Sequence, residues 1–124
     1  MREIKFRAWY KPFKKNKLGS EFVYGAQAFS FWNMSPDKYT LEQFTGLYDK
    51  NGKEVCEGDI VKLHVVILSP DDKVGFIEYS PKFGYCINFG KSIARQEYWA
   101  ANDKHTIEVI GNIHENKELL NEKV

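Results

Sequence analysis

The side chains able to do chemistry in this sequence are few and scattered. His64, His105 and His114 stand far apart, and none has metal-ligand spacing to another histidine or to a cysteine. His64 alternates with Lys62 in an extended segment, which places both on a solvated strand face. Cys56 and Cys86 lack the neighbours that mark a nucleophile, and a free buried cysteine packs as a small apolar residue. Glu57 and Asp59 bracket Gly58. Two carboxylates so placed could hold a cation or work as an acid–base pair, but an aspartate in a turn more commonly accepts backbone N–H groups. Gly46, Gly52 and Gly58 make no phosphate loop, because no glycine-rich run ends in Lys-Ser or Lys-Thr and opens a helix. Gly46, Asn51, Gly52, Gly58 and Asp59 therefore read as turn-forming. No catalytic residue, metal-ligand set or cofactor is expected, and the chain reads as a non-enzyme.

The best candidate for binding is basic. Arg2, Lys5, Arg7, Lys11, Lys14, Lys15 and Lys17 face a single acid, Glu3, in the first part of the chain, while the formal net charge of the whole is +1. Lys5, Arg7 and Trp9 fall on one face of an alternating strand. Beside them runs a loop carrying Lys11, Lys14, Lys15 and Lys17 with Phe13 among them. Cations in this arrangement contact phosphates, and an exposed aromatic stacks on a base. The competing reading is a lysine-rich loop that stays wet, with Trp9 covered by a neighbouring strand or subunit.

The elements that must position these residues are mostly strands. The chain has 124 residues, of which 15% are aromatic, a bias that suits a pleated, half-buried surface. That length buries a core without disulfides or metal. Ile4, Phe6, Ala8 and Tyr10 alternate with Lys5, Arg7 and Trp9, and strand character returns at 21–24 and again at 28–33. These segments predict an antiparallel meander, broken at Met34-Ser35-Pro36-Asp37. Asn51-Gly52 between apolar runs predicts a tight hairpin, since both residues tolerate positive φ. Glu57-Gly58-Asp59 is a second turn, opening a strand over 60–68 with Val61, Leu63, Val65 and Ile67 on one face. Ser69-Pro70-Asp71-Asp72 is a turn. Segments 74–79 and 83–89 form a hairpin through Ser80-Pro81-Lys82. Residues 90–103 fit either a short helix or an irregular loop, with Ile93, Tyr98 and Trp99 facing inward. A strand follows over 106–113, and Asn116 caps a helix over 117–123 that docks through Leu119 and Leu120. The fold class is mainly β. An N-terminal antiparallel meander, residues 1–42, packs on an SH3-like small β-barrel with a short C-terminal helix, residues 43–124, as one unit.

Three blocks resemble a known family. They are Arg2-Glu3-Ile4-Lys5-Phe6-Arg7-Ala8-Trp9 at the start, Gln43-Phe44-Thr45-Gly46-Leu47 running on through Asp49 to Glu54 and Glu57 to Val61 in the middle, and Ile107 to Ile113 with Glu115, Asn116, Glu118, Leu119 and Leu120 at the end. Their content and order are similar to those of the YopX family of phage and prophage proteins. Two positions depart from its pattern. Tyr10 stands where members often carry an acid, and Lys117 where they often carry a proline, a residue that starts helices. The resemblance implies a phage or prophage setting in a bacterium and no established activity.

No apolar run approaches the roughly 20 residues a membrane helix needs. The opening residues lack the apolar stretch of a signal peptide, and two distant cysteines read as free thiols. The bacterial cytoplasm is the expected location, with no membrane partner. Phe29, Phe31, Trp32, Tyr98 and Trp99 offer more apolar area than a thin fold hides, and strand edges invite pairing. The leading expectation is a non-enzymatic binding or assembly module that forms a homo-oligomer, with a phage or host protein as a further partner. The alternative is a nucleic-acid-binding accessory protein that uses Lys5, Arg7, Trp9, Lys11, Lys14, Lys15 and Lys17.

Overall fold

Alternating side chains make a strand of Phe6–Tyr10 (β1), which lies between β2 (Glu21–Tyr24) and β3 (Tyr39–Tyr48) and pairs antiparallel with both. Ala8 stands opposite Val23 on one side and Leu41 on the other. The computed structural model describes residues 5–12, 19–65, 73–100 and 105–120. It divides into two compact units, Met1–Gly46 and Leu47–Val124. Strands dominate both.

The first unit is not a meander. Its central strand is the first in sequence, and the segment expected as a further strand, 28–33, lies in a helix, α1 (Ala26–Met34). Ala26, Gln27, Ala28 and Met34 are good helix formers. Gly25, at φ 75°, turns the chain out of β2 and starts the helix, with Ala28 N–H donating to its carbonyl. Pro36 disfavours helical geometry at Ser35, where α1 ends with Ser35 N–H bonded to Phe31 C=O. The aromatic residues that imitate strand alternation instead meet at helical spacing: the Phe29 and Trp32 rings lie 5.6 Å apart. Ala28 is fully buried, and Phe29 reaches Phe6 of β1. With α1 as the connection, β3 returns to the free edge of β1.

In the second unit, β4 (Glu54–Cys56) neighbours β3 and leads through Glu57-Gly58 into β5 (Asp59–Val65). The remaining elements are β6 (Lys73–Ser80), β7 (Gly84–Asn88), β8 (Ile93–Ala94), α2 (Gln96–Trp99), β9 (His105–Asn112) and a 3-10 turn at Lys117–Leu120. Five strands form one antiparallel sheet in the order β8-β7-β6-β5-β9. The sheet curls. Gly75 lets β6 lie close to β7, since a β-carbon there would come to 2.5 Å from the Asn88 carbonyl oxygen. Val61 and Leu63 bury while Lys62 and His64 do not, as alternation predicts. They join Val55, Ile77, Tyr85, Ile87, Ala94, Trp99 and Ile107 in one core. Each fully buried isoleucine there contributes about 1.5–3 kcal/mol over exposure.

Residues 90–103 resolve in part, into β8 and α2. Gln96 Oε1 accepts from Tyr85 N–H at 2.9 Å, and the Trp99 indole donates to the Tyr85 carbonyl at 2.9 Å, so both ends of α2 are fastened to β7. The expected C-terminal helix is a 3-10 turn over its described residues. Asn116 accepts from Asn112 N–H, and its side chain lies against Gly111 where a β-carbon would clash. The 66–68 end of the predicted strand and the turn at 69–72 lie outside the described residues.

Candidate functional site

The turn residues of the central block build a clamp on the edge of the curled sheet. Asn51 and Gly52 form the turn, Gly52 at φ 85°. Asp49 stands just before them, and its Oδ1 accepts from Asn51 N–H at 2.9 Å and Lys53 N–H at 2.8 Å. Its Oδ2 accepts from Val109 N–H at 3.0 Å. Lys50 N–H donates to the Ile107 carbonyl at 2.9 Å. Ile107 and Val109 belong to β9, the last strand of its sheet, and these are the groups it turns away from β5. The hairpin turn therefore occupies an edge that would otherwise template pairing with another chain. Burial pushes the Asp49 carboxyl up, but the three N–H bonds, aided by the Lys53 charge, outweigh it, and the pKa falls below the ordinary 3.8.

The second turn is also structural in its contacts. Asp59, nearly inaccessible, accepts from Cys56 N–H at 2.8 Å. Gly58, at φ 85°, donates its N–H to Ile77 and accepts from Ile113 N–H. Gly46 is different. It is expected in a turn, yet it lies inside β3 at φ 83°, where it marks an irregularity that a β-carbon would resist. Among the described residues, no group of three or more His, Cys, Asp or Glu side chains converges to hold a metal. Cys56 and Cys86 are both free and buried, and burial, reinforced by the Glu78 charge, pushes the Cys86 thiol up.

Among the described residues, Lys5, Arg7, Trp9 and Lys11 do not form one exposed surface. Arg7 and Trp9 are buried, which corrects the reading of both as nucleic-acid contacts beside Lys5 and agrees with the competing reading in which a neighbouring strand covers Trp9. The cause is cross-strand pairing. Arg7 stands opposite Glu42, its Nε donating to Oε1 at 2.8 Å, and its guanidinium lies 4.4 Å from the Phe22 ring centre. A charge so paired tolerates burial. Trp9 pairs with Phe22, ring centres 4.8 Å apart. Lys5 is half-buried and Lys11 exposed. Lys14, Lys15 and Lys17 lie outside the described residues.

Sequence reasoning missed a second arrangement beside the Asp49 clamp. Two hollows adjoin there, sharing Lys50, Thr106 and Ile107. One, of about 200 Å³, is also lined by Tyr48, Trp99 and His105. The other, of about 250 Å³, takes in Lys62, His64 and Glu108. Tyr48 is 63% exposed, and Lys50 pairs loosely with Glu108 at 3.7 Å. His105 packs its ring 4.3 Å from Tyr98, and its Nδ1 is buried without a hydrogen-bond partner. No local motif announces this set, because its members come from three separate stretches of chain. The one usable signal was Asp49 two residues before Asn51, the spacing of an Asx turn.

The YopX protein family matches residues 5–121. The chain belongs to the YopX family. The match takes in α1, the Asp49 clamp and both hollows. Among solved structures, the crystal structure of protein EF1440 from Enterococcus faecalis is similar to this YopX chain over 97% of its length and 99% of the other's, at 27% identity and a TM-score of 0.57. No curated protein matches the sequence. Among the described residues, no helix of this YopX chain is long and apolar enough to cross a membrane.

Proposed function

We propose that this YopX-family chain is a non-enzymatic binding or assembly module that self-associates, acting in the cytoplasm of a bacterium that carries it as a phage or prophage product. The observation that carries the reading is the exposed apolar surface of α1. Its nine residues include no charge, and Phe29, Phe31 and Met34 are 48%, 36% and 76% exposed. Aromatics and methionine with charge depleted are the composition of an interface centre. Tyr24, 57% exposed on β2, adds to the apolar surface of the same unit. The further expectation that Trp99 joins such a surface is dropped, since Trp99 is buried in the core.

The finer fold reading belongs with this one. A sheet in which β5 lies between β6 and β9, with one helical turn before the last strand, supports an SH3-like barrel for the second unit. Barrels of this kind serve widely as binding modules, a fold-level analogy that leaves the partner to experiment.

Light scattering at micromolar concentration tests self-association. A dimer or larger species is expected, reduced to monomer by Phe29→Glu with Phe31→Glu. A wild-type monomer removes the proposal. A second reading, nucleic-acid binding through the N-terminal surface, draws support from exposed Lys11 and half-buried Lys5. It requires affinity that falls with salt and weakens further when Lys14, Lys15 and Lys17 become Glu.

A further inference from the structure

We propose that the adjoining hollows beside β9 bind a nucleotide, either free or as one unit of a single strand. Three features of the site point to this ligand together, and none does so alone. The first is charge: Lys50 and Lys62 line the hollows, with the His64 imidazole beside them. Of the two carboxylates among the described lining residues, Asp49 spends both oxygens on backbone N–H groups, and Glu108 lies 3.7 Å from the Lys50 ammonium. The second is an aromatic face. Tyr48 lines the smaller hollow with most of its ring in solvent, and bases stack on such rings whatever their identity. The third is His105. It lines the smaller hollow, and its buried Nδ1 has no hydrogen-bond partner, where buried polar atoms are ordinarily paired, so a turn of the ring toward the hollow would let a base edge supply one.

Other ligands satisfy the site less well. An acidic peptide would use the lysines and leave the Tyr48 face and the His105 nitrogen idle. An apolar ligand would use Tyr48 and strand the cations. A nucleotide carries an anion, a π-face and a hydrogen-bonding edge in one molecule, so it answers all three features. The proposal is independent of self-association, and every residue it invokes belongs to the second unit.

The test is an NMR titration of the full chain with a short single-stranded oligonucleotide, a mononucleotide, inorganic phosphate and a glutamate-rich peptide. Shifts in the His105 imidazole and in the Lys50 and Thr106 amides are expected with the first two. Equal affinity for both identifies a free nucleotide as sufficient, and preference for the oligonucleotide identifies a strand. Tyr48→Ala, at an exposed position, should weaken binding about fivefold or more. His105→Phe keeps the ring on Tyr98 and removes the nitrogen, and should weaken it too. Glu108→Gln should tighten binding, a direction that a purely structural role does not give. Lys82→Glu, at an exposed turn outside both hollows, should leave it unchanged. The proposal is overturned by shifts confined to other residues, by response to phosphate alone or to nothing, or by peptide binding indifferent to Tyr48→Ala. A monomeric chain that still binds nucleotide defeats self-association and leaves this inference standing.

Discussion

Three backbone N–H groups end on the Asp49 carboxylate, and Asp49→Ala leaves all three without it in a partly buried setting. The expected loss is about 3 kcal/mol or more, read as a lower urea midpoint at unchanged slope. Acid should act through the same residue. A carboxyl whose folded pKa is depressed contributes its stability in full above the unfolded value and loses it as pH falls through the folded one. Wild-type stability should therefore decline below the ordinary value of 3.8, and Asp49→Asn should lack that part of the decline in a pH series of thermal melts. At this scale the sequence was readable where chemistry is local. Asn51-Gly52 and Asp59 do what their types and neighbours predict. Asp49 to Val109 spans 60 residues and Arg7 to Glu42 spans 35, and no periodicity encodes a partner at such range. For that reason alternation left open whether Arg7 and Trp9 are covered: it says which residues share a face, not which face is buried.

Element by element, the strands of the second unit were legible and the helix of the first was not. Val61 and Leu63 bury against the same core as Ile87 and Ile107, which is what period-two alternation on a one-sided sheet must give. Segment 28–33 defeats that rule. Its apolar residues follow no strict period, because only Ala28 faces a core, and the breakers at Gly25 and Pro36 decide its ends. The close approach of β7 to β6 at Gly75 was likewise hidden, since a glycine in a strand does not say how near the next strand comes. Gly75→Ala tests it directly. The added methyl meets backbone, which cannot swing aside, so a loss of about 1–3 kcal/mol is expected. Gly52→Ala, where the space is open, should cost less and only through its positive φ. Thermal denaturation of the two variants side by side distinguishes a steric cause from a conformational one.

For the molecule as a whole, mainly β architecture followed from aromatic content and turn spacing. The order β2-β1-β3 did not, because a connecting helix reroutes the chain after two strands. Among the described residues, the core cluster of the second unit is built from residues from Leu47 onward. A fragment of residues 47–124 is accordingly expected to fold alone, with a β-type circular-dichroism spectrum and one cooperative melt, and a structureless fragment would refute that. The clamp on β9 also has a consequence in time. Residue 49 and residue 109 come together only after a long intervening loop has closed, a step whose entropic cost is met before any contact rewards it. Asp49→Ala should then speed unfolding and leave the refolding rate nearly untouched in a stopped-flow chevron. A clasp fastened so late governs how long the folded chain persists, not how quickly it forms.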